Sequence, residues 1–212
     1  MDTRVTVVDV TDVGPDTVAI EFETPADFTA QPGQFVKLSA TVEGESYSRF
    51  YTLSSPDTDG TFEVTVGIDP DEAGPFSRFL VDLAAGDELD CAGPFGDQYY
   101  DGESRVVVLA GGPGVGPAVG IGERALADGA AVAVVYRDDA PAHDDRLAAL
   151  ADAGATVFVL DGEVDEAVAA VVTGDAGEQV FVYGFADFVA AAEEAITAAG
   201  GDPDAAKVEN FG

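Results

Sequence analysis

The chain changes rhythm near residue 100, and that change limits its possible architectures more than any other feature. Up to about Gly93, short runs rich in β-branched and aromatic residues alternate with turn residues, which is the pattern of antiparallel strands. The runs cover residues 4–13, 17–24, 34–41, 48–54, 61–68 and 88–92. Gly14-Pro15, Gln31-Pro32-Gly33, Glu43-Gly44 and Asp57-Thr58-Asp59-Gly60 punctuate them. Six short strands with one helix over 76–85 predict a small antiparallel β-barrel, because closure removes exposed sheet edges. Beyond Asp101-Gly102, apolar runs alternate with alanine-rich helical stretches. That predicts a Rossmann-like α/β domain whose five-stranded parallel sheet is covered on both faces. Strands are expected over 105–110, 131–136, 155–160, 179–183 and 207–209, with helices over 115–128, 144–153, 164–173 and 186–199. The expected division is a barrel domain, 1–99, and an α/β domain, 103–212.

Charge narrows the possible partners. The 212 residues include 41 acidic against nine basic side chains, a formal net charge of -32, with Lys37 and Lys207 the only lysines. A body this negative repels phosphate backbones and anionic lipid, so neither nucleic acid nor membrane binding is expected. The acidic residues run the whole length of a chain that is 47% hydrophobic, which argues for a folded acidic surface and against a disordered tail. Concentrated salt screens such self-repulsion within a few ångströms. A salt-adapted, haloarchaeal-like protein of a high-salt cytoplasm is therefore expected. The start of the chain has no apolar signal core, and no stretch of about 18 apolar residues suggests a membrane span. A single cysteine, Cys91, rules out an internal disulfide or a four-cysteine iron–sulfur cluster within the chain. Cys91 reads as a small apolar residue of a barrel strand, and the lone His143, in a polar Ala-His-Asp-Asp stretch, reads as surface. No metal site is expected.

Three motifs carry chemistry. Gly111-Gly112-Pro113-Gly114-Val115-Gly116-Pro117 follows an apolar strand and opens a helix. Glycines there either let backbone amides approach a phosphate at the helix N-terminus or serve tight strand–helix packing. Arg49-Phe50-Tyr51-Thr52 alternates along a strand, with Arg49, Tyr51 and Leu53 on one face and Phe50, Thr52 and Ser54 on the other. Arginine beside an aromatic and a hydroxyl suits a ligand with a phosphate, a flat ring and a hydrogen-bonding edge. Gly74-Pro75-Phe76-Ser77 starts a helix and suits either a second anionic group or simple capping.

In order and spacing the three motifs resemble the ferredoxin-NADP reductase superfamily over nearly the whole chain. The resemblance implies FAD, rather than FMN, bound to the barrel, and NADH or NADPH bound to the α/β domain. It implies that Arg49 pairs with the flavin phosphate, that Tyr51 lies against the ring system with Phe50 beside it, and that Thr52 bonds near flavin N5. Val66-Gly67-Ile68 matches the next flavin-lining strand, Gly74, Phe76 and Ser77 the pyrophosphate helix, and Gly93-Pro94-Phe95-Gly96 the end of the barrel. Gly111, Gly112, Gly114, Val115, Gly116 and Pro117 match the pyridine-nucleotide loop. Gly184, Phe185 and Ala186 match the turn before the last helix. Glu209 and Phe211 match the family's Glu-x-Phe ending, with Thr52 and Glu209 as the implied catalytic pair. Pro113, Tyr183 and Phe185 depart from the family pattern. Arg137 suits a 2′-phosphate, whereas Asp138 and Asp139 repel one and lean the reading toward NADH. The implied activity is electron transfer between NAD(P)H and a separate acceptor, such as ferredoxin, another redox protein or a small oxidant. A free-flavin reductase and a flavin-binding electron-transfer or sensor subunit are the alternatives.

Overall fold

The computed structural model describes residues 2–68 and 73–212. Its first half is one antiparallel sheet of β1 (Asp2–Gly14), β2 (Thr17–Glu23), β3 (Phe35–Val42), β4 (Glu45–Thr52), β5 (Thr61–Gly67) and β6 (Glu88–Phe95), in the order β4-β3-β6-β1-β2-β5. A bridge between Leu53 and Val64 joins the two ends of that order and rolls the sheet into a barrel. Alternate side chains point inward, among them Val5, Val7, Ile20, Phe22, Leu38, Leu53, Phe62 and Cys91, and a short helix, α1 (Pro75–Val81), packs Phe76 and Leu80 onto them.

Strand β4 begins three residues earlier than the run over 48–54 suggests. Glu43 and Gly44 both hold positive φ, which makes a tight two-residue hairpin whose twist pairs the polar residues from Glu45 onward with β3. Strand β6 extends to Phe95, past the expected end, because Phe95 pairs with Phe35 beyond a register shift. Helix α1 stops at Val81, short of the expected end at 85.

The second half is a five-stranded parallel sheet of β7 (Arg105–Gly111), β8 (Ala131–Arg137), β9 (Thr156–Leu160), β10 (Glu178–Gly184) and β11 (Lys207–Asn210), in the order β11-β10-β7-β8-β9. Strand β7 is buried on both faces. Its Val106, Val108 and Ala110 share one core cluster with residues of α2 (Val115–Ala127) and α3 (Asp144–Asp152), while Val107 and Leu109 share another with residues of α4 (Asp165–Val171) and α5 (Ala186–Ala198). The chain leaves central β7 toward β8 and later returns to β10 on the other side. The carboxyl ends of β7 and β10 therefore flank a topological switch point, where open α/β sheets bind ligands. No described helix is long and apolar enough to cross a membrane.

The two halves meet along a polar seam. Arg146 of α3 bonds Glu63 and the Ser54 carbonyl of the barrel. The Tyr183 hydroxyl donates to the Gln98 carbonyl at 2.7 Å, and Lys207 Nζ donates to the Tyr99 carbonyl at 2.6 Å and to Glu103.

Candidate functional site

Thr52 and Glu209 lie 157 positions apart in the chain and meet at the seam, where Thr52 Oγ1 donates to Glu209 Oε1 at 3.0 Å. Alternation along β4 turns Leu53 into the barrel core and Thr52 outward, yet Thr52 is buried. Its cover comes from β11, which carries Glu209 opposite Tyr183 in parallel register. Burial pushes the Glu209 carboxyl up to about 7, and the bond from Thr52 only partly opposes that. A carboxyl in this range exchanges protons at neutral pH, which suits general acid–base work.

Aromatic residues neighbour the pair in sequence. Phe50 is 62% exposed and stands edge-on to Phe35 at 5.5 Å and Phe95 at 6.2 Å. Tyr51 is half-buried against the barrel core, and burial pushes its hydroxyl up to about 12, with Arg49 opposing weakly. Phe211 stands edge-on to exposed Phe185 at 6.0 Å, and its N–H donates to the Gly184 carbonyl at 3.0 Å. Val66 faces the barrel core, while Gly67 is exposed and Ile68 half-buried.

The cations separate into two groups. Arg4, Arg105, Arg124, Arg146 and Lys207 each hold a carboxylate. Among the described residues, Lys37, Arg49, Arg78 and Arg137 hold none, in a chain with 41 acidic residues. Arg49 is exposed and donates to the neighbouring Ser48 carbonyl at 2.8 Å. Arg78 follows half-buried Ser77 on α1, whose cap, Gly74, leaves open space where a side chain would stand. Arg137, at the end of β8, lies 4.9 Å above the Phe188 ring.

The glycine loop divides between the two roles its sequence allows. A Cβ on Gly111 would sit 2.4 Å from Phe188, one on Gly114 2.2 Å from the Tyr183 carbonyl oxygen, and one on Gly116 2.8 Å from Thr65. A Cβ on Gly184 would likewise sit 2.7 Å from Phe188. These glycines permit close packing within the protein. Gly112 alone in the loop combines positive φ, 56°, with open space, so its backbone is the part left for a ligand. Val115 and Pro117 turn inward and are buried in α2, whereas Ala186 is exposed at the start of α5.

One expectation changes. His143 is buried, at 3% exposure, with Nε2 2.8 Å from Thr65 Oγ1. The barrel covers it from across the seam, a cover its polar neighbours in sequence do not announce. Burial, with Arg146 adding to it, pushes the His143 pKa down to about 4. Asp138 accepts from the Tyr136 hydroxyl at 3.1 Å and the Ala140 N–H at 2.9 Å and closes the turn after β8, while Asp139 is exposed. Tyr183, which departs from the family pattern, is fully buried and braces the linker. Sequence reasoning passed over Arg146; an arginine directly after Asp144-Asp145 was its only signal. Two surface clefts, of about 260 and 490 Å³, lie beside Arg146 and over Arg4 and Lys37, and neither is lined by Thr52 or Glu209. We take that pair as the candidate site because a hydroxyl and a carboxyl from the two halves meet there, with Phe50 and Phe211 two positions away along their chains.

Residues 4–100 match the family described as oxidoreductase FAD-binding domain. The glycine betaine monooxygenase reductase subunit of Chromohalobacter salexigens is 41% identical over 98 residues, which cover 44% of this chain and 26% of that protein. The crystal structure of an Amycolatopsis cytochrome P450 reductase superposes with a TM-score of 0.82 at 25% identity, covering 100% of this chain and 70% of that one. A ferredoxin NADP+ reductase from Neisseria gonorrhoeae with bound FAD and NADP gives 0.75 at 18% identity, covering 100% and 99%. The barrel half is thus similar to FAD-binding oxidoreductase domains, and the chain has the two-domain fold of the ferredoxin NADP+ reductase. The aligned segments span about a third or less of the length of the first curated relatives, 30%, 33% and 26%.

Proposed function

We propose that the barrel half, residues 1–99, binds FAD, that the α/β half, residues 103–212, binds NADH or NADPH, and that the protein passes electrons from the nucleotide to a separate redox protein. The observation that carries this reading is the contact between Thr52 of the barrel and Glu209 of the α/β half at 3.0 Å. It puts a hydroxyl donor and a near-neutral carboxyl from the two halves at one point.

The residues present fit the cofactor. Among the described residues Arg49 and Arg78 have no carboxylate partner, which suits them to its phosphates. Phe50, Tyr51 and Phe211 supply flat apolar surface, with Val66, Gly67, Ile68, Gly74, Phe76 and Ser77 completing the proposed flavin side. Gly112, Arg137, Gly184, Phe185 and Ala186 form the proposed dinucleotide side, and Gly111, Gly114, Val115, Gly116 and Pro117 shape it by packing. FAD, when bound, supplies the exchange between a two-electron donor and a one- or two-electron acceptor. Thr52 orients the site through its hydroxyl. Glu209 holds or releases a proton at its carboxyl near neutral pH. Asp138 and exposed Asp139 follow Arg137 with two carboxylates that repel a 2′-phosphate and lean the reading toward NADH, with NADPH kept within the proposal.

The charge of -32 supports a further proposal, that the protein works in the interior of a cell rich in salt. The binding half is tested by titrating flavin-free protein with FAD. Arg49→Ala should weaken binding by about ten- to a hundredfold, the loss of one charge-assisted contact. Unchanged affinity removes Arg49 from the site.

A further inference from the structure

We infer that Arg146 is a positioning residue, holding the dinucleotide loop in register with the flavin strand and so setting how the nicotinamide lies on the flavin. The inference rests on the function proposed above. It starts from what a single guanidinium joins. From α3, Arg146 Nε and Nη2 donate to the two carboxylate oxygens of Glu123 at 2.7 and 2.8 Å. Nη1 donates to Glu63 Oε1 at 2.8 Å, and Nη2 also donates to the Ser54 carbonyl at 2.6 Å.

Those partners are the two sides of the proposed reaction. Ser54 is two residues beyond Thr52. Glu63 lies on β5, which continues to Val66 and Gly67, and the Ser54 hydroxyl donates to the same Glu63 oxygen that Arg146 holds. Glu123 lies on α2, the helix opened by the glycine loop. A shift of α2 along the barrel therefore breaks the fork at two or more points. Lysine cannot replace this, since its ammonium is a point charge without a planar, bidentate fork.

Steric fit sets the same register independently. Helix α2 lies on the barrel through its glycines: a Cβ on Gly120 would sit 2.9 Å from the Ser54 carbonyl oxygen, and one on Gly116 2.8 Å from Thr65. Beside Arg146, the His143 N–H donates to the Val13 carbonyl at 2.7 Å and its ring meets Thr65 at 2.8 Å. The Arg146 side chain is 25% exposed, so bulk salt screens these contacts less than surface pairs. In a chain with nine cations, this one is spent on alignment.

The test uses the full-length, flavin-loaded protein and compares Arg146→Ala, Arg146→Lys and Gly120→Ala with wild type. Anaerobic stopped flow with NADH and NADPH separates nucleotide affinity from the limiting rate of flavin reduction. Long-wavelength charge-transfer absorbance reports nicotinamide stacking on flavin. Hydrogen exchange on the flavin-free proteins reports the seam directly. All three variants should lose about tenfold or more in limiting rate, as a misplacement near 1 Å does, with affinity within about threefold. Charge-transfer absorbance should weaken, and exchange should rise in α2 and at the end of β4. Wild-type limiting rates or unchanged exchange in the variants overturn the inference. If Arg146→Ala does not fold, the other two variants decide. If neither nucleotide reduces the wild-type flavin, the functional reading fails and the inference with it. Reduced wild type with unaffected variants sinks the inference alone.

Discussion

His143 gives the seam a pH signature that can be calculated. Its pKa falls from 6.5 to about 4 because burial disfavours the imidazolium and Arg146 adds repulsion. Between those values the unfolded chain takes up a proton that the folded protein refuses. The stability His143 contributes is thus complete above pH 6.5 and is lost as pH falls toward 4. Linkage puts the loss at about 2 kcal/mol at pH 5 and roughly 3 kcal/mol in full. Many carboxylates titrate in the same range, so the comparison must be with a variant that lacks only this group. His143→Asn suits, because His143 sits at φ 58° and asparagine tolerates that conformation. Urea unfolding of both proteins at pH 8 and pH 5 gives two stability gaps. The wild-type advantage should shrink by about 2 kcal/mol at pH 5. An equal gap at both pH values refutes a neutral, buried His143 against Thr65, and with it the seam as described.

Other expectations follow from single contacts. Glu209 carries a raised pKa, about 7 against 4.5, so the stability it contributes below pH 4.5 is lost as pH rises through 7. Glu209→Gln should therefore gain on wild type above pH 7 and should flatten any inflection near pH 7 in the rate of flavin reduction; a retained inflection assigns it to another group. Gly114→Ala drives a Cβ to 2.2 Å from the Tyr183 carbonyl and should cost about 1–3 kcal/mol or more, read as a fall of several degrees in Tm. A variant as stable as wild type contradicts the packing role of that glycine. With a charge of -32, Tm should climb by about 10 °C or more between low and molar potassium chloride, and a flat curve removes the case for salt adaptation.

The parts of the fold that sequence conveyed are those set by local pattern. Strand β7 was legible because its residues are apolar on both faces, and α2 and α5 because alanine-rich runs follow apolar strands. Strand β4 was read short because Glu45, Ser46 and Tyr47 look like a turn until the Glu43-Gly44 hairpin pairs them with β3. Seam residues were the least legible. His143 and Arg146 sit in a polar stretch, and only the barrel, distant in sequence, buries them. The glycine loop shows a different limit. Packing and phosphate approach demand the same residue, and only coordinates assign Gly111, Gly114 and Gly116 to the first role and leave Gly112 for the second. Thr52 and Glu209 were each singled out by motif, but no local rule says that they touch.

The central claim is that flavin and nicotinamide nucleotide exchange electrons on this chain. Anaerobic mixing of the FAD-loaded protein with NADH and, separately, NADPH, followed at the flavin absorbance near 450 nm, tests it most directly. Bleaching by at least one nucleotide, at a rate that saturates with its concentration, is the predicted result. Flavin that stays oxidised with both contradicts the account and leaves a barrel that binds FAD without receiving electrons from the other half.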